Sequence, residues 1–183
     1  MTRIVGLAGS LRKGSLNAQL LRACIPLLPA NARLEIADLH GIPLYDGDVE
    51  AAGIPADVTR VKDQIAGADA LLIASPEYNH SMPGVLKNAI DWMSRPAADI
   101  DRVFKGRPVA IIGASPGAFG TARGQAAWLP VLRAVQLRPF FELPPFYLAK
   151  AHQAFDAQGQ LVDPKSRELL GAFLGGFVDF AAR

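Results

Sequence analysis

Unbroken apolar runs recur along the first two thirds of the chain, and each gives way to a loop of small and polar residues. Ile4, Val5, Leu7 and Ala8 belong to the first run, Asp69-Ala-Leu-Leu-Ile-Ala74 is the second and Pro108-Val-Ala-Ile-Ile-Gly113 the third. Such runs suit strands that are covered on both faces of a parallel sheet. Arg33-Leu-Glu-Ile-Ala-Asp-Leu39 alternates instead, which predicts an edge strand with one wetter face. Between these strands the apolar spacing becomes helical. Ala18, Leu21, Ile25 and Leu28, widened by Leu20, Cys24 and Leu27, predict a helix from Ser15 to near Pro29. Val58, Val61 and Ile65 mark a short helix, and Val85, Leu86, Ala89, Ile90 and Met93 mark one over about Gly84 to Ser94.

The last third is less regular. Ala122 to Val135 has a helical pattern, but Pro130 inside it predicts a kink or a later start, because an interior proline costs about 3 kcal/mol. A fifth strand is expected within Leu137 to Leu148, interrupted around Pro144-Pro145. Phe155 to Val162 reads as a tight turn. Asp163 or Pro164 then opens a final helix carrying Leu169, Leu170, Phe173, Leu174, Phe177 and Val178, in which Gly175 and Gly176 lower the intrinsic helicity. Gly41 to Asp48 and Arg95 to Gly106 are expected to be plain connections.

Strands alternating with helices over 183 residues predict one α/β domain, residues 1–183, with helices on both faces of a five-stranded parallel sheet. The connections favour the flavodoxin-like strand order 2-1-3-4-5. A ligand then sits beyond the carboxyl ends of strands 1, 3 and 4. Those ends are Gly9 to Asn17, Ser75 to Ser81 and Ala114 to Gly120, the loops richest in small and polar residues.

The first of these loops enters a helix N-terminus, where unpartnered N–H groups and the helix dipole favour an anion. Gly9 and Gly14 permit close backbone approach, Ser10, Ser15 and Asn17 supply short donors, and Arg12 supplies a charge. The glycines have P-loop spacing, but Ser15 stands where the lysine belongs, and no G-x-G-x-x-G follows the first strand. A monophosphate is therefore the expected guest. The plainer alternative makes Ser15 a simple helix cap and Arg12 a solvated side chain.

Composition narrows the classes. The net charge of +2 is small and its cations are scattered, so no nucleic-acid footprint is present. No apolar stretch approaches the roughly 20 residues that span a bilayer, so no membrane insertion is expected. Met1-Thr-Arg-Ile-Val enters the first strand at once, which leaves no room for a signal peptide and predicts a cytoplasmic protein. The single cysteine, Cys24, falls on the core side of its helix, and His40, His80 and His152 show no metal-ligand spacing.

Gly9-Ser-Leu-Arg-Lys-Gly-Ser-Leu-Asn17, Pro76-Glu-Tyr-Asn79, Pro83-Gly-Val-Leu-Lys-Asn-Ala-Ile-Asp-Trp92 with Ser94-Arg95-Pro96, and Ala114-Ser-Pro-Gly117 occur in that order. In these motifs the chain resembles the NADPH-dependent FMN reductase family, particularly its chromate and quinone reductase branch. The resemblance implies that Ser10, Arg12, Ser15, Leu16 and Asn17 surround the FMN phosphate. It implies further that Pro76, Glu77, Tyr78 and Asn79 border the isoalloxazine ring and that Ser115 and Gly117 close the other side. NADPH or NADH would reduce FMN, and a quinone or similar acceptor, chromate or azo compounds included, would then be reduced; no protein residue is expected to be catalytic, and no metal is implied. A homodimer or homotetramer is also implied. A flavodoxin-like electron carrier is the rival reading, disfavoured by a pI near 8.8 because such carriers are usually acidic. A hydrolase or transferase using the loop for substrate phosphate is a third.

Overall fold

A computed structural model describes residues 1–183. Strand β1 (Thr2–Ala8) leads into helix α1 (Leu16–Cys24), and β2 (Ala32–Ala37) follows. Next come α2 (Gly47–Ala52), α3 (Ala56–Ala66), β3 (Ala70–Ala74), α4 (Gly84–Met93), α5 (Asp99–Val103) and β4 (Pro108–Ala114). The chain ends with α6 (Ala122–Ala134), β5 (Arg138–Pro139), β6 (Phe146–Leu148) and α7 (Pro164–Ala181). All pairings in the sheet are parallel and run β2-β1-β3-β4-β5, with β6 also on β4. This is the expected flavodoxin-like order. The fifth strand is split: β5 pairs with Pro108 and Val109, while β6 pairs with Ile112 to Ala114. The interruption is wider than Pro144-Pro145: Phe140 N still donates to Val109 O of β4, and the chain leaves the sheet edge over residues 141–145.

Two apolar layers flank the sheet. One buries Leu20, Leu21 and Cys24 of α1 with Leu170, Phe173, Leu174 and Phe177 of α7. The other buries Val61 and Ile65 of α3, Leu86, Ile90 and Met93 of α4, and Trp128 and Leu132 of α6. Every residue of β3 is buried, which is why its sequence shows no alternation. Cys24 lies in the first layer, donates its thiol to Leu20 O, and is held protonated because burial pushes its pKa up.

Local chemistry accounts for the departures from expectation. The helix of α1 stops at Cys24 and tightens into a 3₁₀ turn over Ile25–Leu27, where Pro26 has no N–H for the α ladder. Residues 41–48 are not plain loop throughout, since Asp46 accepts from Asp48 N and caps the short α2. The Arg95 to Gly106 connection contains α5, whose Val103 is fully buried next to Phe104 and whose Asp99 pairs with the buried Lys62 of α3. Helix α6 runs through Pro130 without a break. Pro130 and Ala126 both face outward, so the carbonyl that proline deprives of a partner can meet water. In α7, a Cβ on Gly176 would come within 2.7 Å of Leu143 Cδ1 and 3.3 Å of Phe140 Cζ. The glycine that weakens the helix thus admits the 140–145 segment against it.

Candidate functional site

The carboxyl ends of β1, β3 and β4 open on one side of the sheet, and there the structure forms a cleft of about 450 Å³. Ser10, Arg12, Ser15, Leu16, Asn17, Pro76, Glu77, Tyr78 and Ser115 line it, joined by Ala114, Pro116 and His152. Residues separated by a hundred positions meet because the parallel sheet points all these strand ends the same way.

At one end, Ser15 caps α1 by accepting from Ala18 N at 3.2 Å. The next two amides, those of Leu16 and Asn17, have no partner within the protein. Two unpartnered N–H groups at a helix start, on the wall of a cleft, form a ready anion seat. Arg12 lies exposed beside them and spends one donor on Gly14 O at 3.0 Å, which leaves the rest of its fork available. Ser10 Oγ accepts weakly from Arg12 N. Gly9 is confined where the loop crosses its neighbour, since a Cβ there would lie 2.7 Å from Pro76 Cδ and 3.0 Å from Pro83 Cγ.

Asn17 plays a different part from that expected of its side chain. It is 97% buried by virtue of a relative exposure of 3%, and its amide grips Ala114 from both sides, donating to the carbonyl and accepting from the N–H, each at 2.9 Å. The side chain ties α1 to the end of β4, and the backbone N–H is what remains for an anion.

The 76–81 loop is a tight hairpin. Tyr78 and Ser81 exchange backbone bonds at 3.0 Å, and Asn79 and His80 between them have φ of 50° and 62°. Positive φ at both central positions is the requirement of a two-residue turn of this type, and Asn tolerates it well. Asn79 therefore sits at the turn's tip and does not line the cleft. Gly117 is likewise exposed and not among the lining residues, donating to Ser115 Oγ at 3.0 Å and accepting from Lys150 N.

Glu77 is tied into the fold by its side chain. Its carboxylate accepts from Gly124 N in the first turn of α6 at 2.9 Å and lies 3.4 Å from His80 Nδ1, which also contacts Arg123. Desolvation pushes its pKa up, but the Gly124 amide and His80 outweigh that and hold the group below its ordinary 4.5. Under the same loop, Trp128 Nε1 donates to Ser75 Oγ, which donates to Pro76 O. Helix α6 is thus the pillar on which the loop stands.

His152 was not singled out by sequence reasoning as a cleft residue. It follows β6 on a 3₁₀ turn, and the only hint available was that β6 also ends on this side of the sheet. Trp92 is a packing residue: it is fully buried, edge-on to Tyr45 at 5.0 Å, and donates to Pro43 O. Tyr45 and Asp46 do not reach the cleft lining either, Tyr45 being held by Asn88 and Glu50.

A doubly covered parallel sheet with an anion seat at its first helix, and a second loop beside it, defines a flavodoxin-like protein built for a phosphate-bearing ligand. The sequence profile of the NADPH-dependent FMN reductase family matches residues 2–153, and the chain belongs to that family. It is 50% identical over 168 residues to an NAD(P)H-dependent FMN reductase of Pseudomonas aeruginosa, covering 92% of this chain and 89% of that one. It is 41% identical over 178 residues to a 2-hydroxy-1,4-benzoquinone reductase of Burkholderia, covering 94% and 92% respectively. Among solved structures, the flavoenzyme NAD(P)H:(acceptor) oxidoreductase FerB of Paracoccus denitrificans superposes with a TM-score of 0.88 at 35% identity, covering 100% of this chain and 98% of that one.

Proposed function

We infer that the protein is an FMN-dependent NAD(P)H oxidoreductase that reduces quinones and similar acceptors, with chromate and azo compounds as adventitious ones. The observation that carries this reading is the pair of unpartnered amides, Leu16 and Asn17, set with Arg12 and Ser15 on the wall that also presents Pro76 to Tyr78. That donor set fits a phosphate monoester. The neighbouring loop adds the backbone N–H of Glu77, which has no partner within the protein, and fits a polar ring edge.

When bound, FMN supplies hydride acceptance and two-electron delivery. The chain's residues do the rest. Arg12, Ser15 and the α1 amides would hold the phosphate, with Ser10 beside them. The backbone of Pro76 to Tyr78, braced by Glu77 on α6, would fix the ring against the turn, and Ser115 would close the opposite wall. Asn79 and Gly117 act in this reading as shape-giving residues on the turns beside the cleft. Exposed apolar side chains on the folded chain support a homodimer or homotetramer, and a nicotinamide donor supports work in the cytoplasm.

The test is an absorbance spectrum of the purified, FMN-loaded protein, followed by anaerobic addition of NADPH and NADH in separate cuvettes and then of menadione. The yellow band should bleach with at least one donor and return with menadione. Protein that stays colourless in excess FMN overturns the flavin assignment. Protein that bleaches but sustains no NADPH consumption with menadione is a carrier.

A further inference from the structure

A second cavity, of about 360 Å³, lies where the split fifth strand leaves the sheet. Between β5 and β6 the 141–145 segment arches away from β4, and residues of α6 line the gap. The walls are apolar, including Leu129, Phe140, Phe141 and Leu143, and the cavity shares no lining residue with the flavin cleft. Its volume is in the range of small-molecule sites, about 300–1,000 Å³, which combine apolar walls with a few placed polar groups.

The polar group that matters is Gln125, a wall residue with a relative exposure of only 9%. Its Nε2 donates to Thr121 Oγ1 at 3.1 Å and to Phe146 O at 2.9 Å. A carbonyl can only accept, so Phe146 fixes which way the amide is turned. Both amide hydrogens are committed, and Oε1 accepts nothing from the protein. The oxygen is not sealed off: it stays accessible on a wall that is otherwise mostly apolar, where a donor brought by a ligand can reach it. On the same wall the Tyr147 hydroxyl is without a hydrogen bond in the protein.

We propose that this cavity is a second ligand site, taking a small planar aromatic molecule that carries a hydroxyl, with Gln125 Oε1 accepting its O–H. The committed amide sets the preference. A quinone brings only acceptors to Gln125, whereas a phenol or hydroquinone brings the missing donor. Given the quinone-reductase reading, on which only this last identification rests, the site favours the reduced product over its precursor.

Calorimetry on the FMN-loaded protein, with redox-inert probes, tests the site without turnover. One 1-naphthol per chain should bind, about tenfold or more tighter than 1-methoxynaphthalene, which keeps the rings and loses the donor. Leu129→Trp, which fills the cavity from its rim, should abolish 1-naphthol binding while FMN affinity and NADPH oxidation stay at the parent's values. Gln125→Met should bring the two probes to equal affinity. Equal affinities in the parent protein overturn the proposal, as does binding that survives Leu129→Trp. Binding seen only when FMN is absent assigns the probe to the flavin cleft. If the parent does not bind 1-naphthol but a Leu129→Glu variant of lower mass in solution does, the cavity belongs to a contact between copies. Because the flavin reading is scored by the yellow band, its failure and the failure of this site give different results.

Discussion

Arg12 in the first loop and Asn17 in the first turn of α1 stand five residues apart and make opposite demands on a mutation. Arg12 is exposed and holds only Gly14 O, so Arg12→Ala should leave stability unchanged and weaken FMN by about 10- to 150-fold, the usual cost of a charge-assisted hydrogen bond. Flavin fluorescence titration at moderate salt measures it; an unaltered Kd removes Arg12 from the phosphate seat. Asn17→Ala instead strips both bonds from Ala114 and leaves a buried N–H and C=O unmet, which should cost about 2–4 kcal/mol of folding free energy. A fall in the urea midpoint at constant slope checks this. Glu77 gives a pH dependence. Its folded pKa lies below 4.5, so its brace on α6 is complete above that value and is lost as pH falls through the lowered one. Flavin affinity should therefore weaken on the acid side, and Glu77→Gln, which keeps an acceptor for Gly124 but cannot titrate, should flatten that limb. An acid limb identical in both proteins would place the titrating group elsewhere.

Elements differ in how openly their sequences announce them. Strands β1, β3 and β4 were legible because burial on both faces demands unbroken apolar runs, and their loops because only small or hydroxylated residues fit where backbones cross. The short α2 and α5 were not, since one or two turns have no periodicity to read; they form through an Asp46 cap and through Val103, Phe104 and the Lys62–Asp99 pair, all settled by distant partners. His152 was hidden for the same reason: its place in the cleft depends on where β6 rejoins the sheet. The family motif marked Asn79 and Gly117, which lie exposed on the turns beside the cleft and not among its lining residues. Helix α6 shows a local rule overruled, its proline tolerated on the wet face while Trp128 and Leu132 are buried on the other. Pro130→Ala restores an N–H donor to Ala126 O and removes the ring's clash, and should raise stability by about 1–3 kcal/mol in urea unfolding. A lower midpoint would mean that proline's stiffening of the unfolded chain outweighs its cost in the helix.

The whole molecule carries an apolar face that its own fold leaves uncovered. Leu44 is 83% exposed, with Tyr45 and Val49 partly exposed beside it in sequence. The segment presenting them is not loose. Asn88 Nδ2 and Trp92 Nε1 both donate to Pro43 O, Tyr45 N donates to Asn88 Oδ1, and Glu50 accepts from Tyr45 Oη and pairs with Arg95. A leucine held outward by a rigid loop is a poor choice for a solvated surface and a good one for an isologous contact, in which the same patch of a second copy covers it. The protein should therefore sediment at twice its 19.5 kDa chain mass or at a multiple of that. Leu44→Glu should lower the mass without lowering the chain's own folding stability, because the side chain touches little of its own fold and a charge cannot be buried unpaired against its symmetry mate. An unchanged mass for Leu44→Glu would move the contact to another face. A parent protein that is monomeric at every concentration would leave this leucine to water.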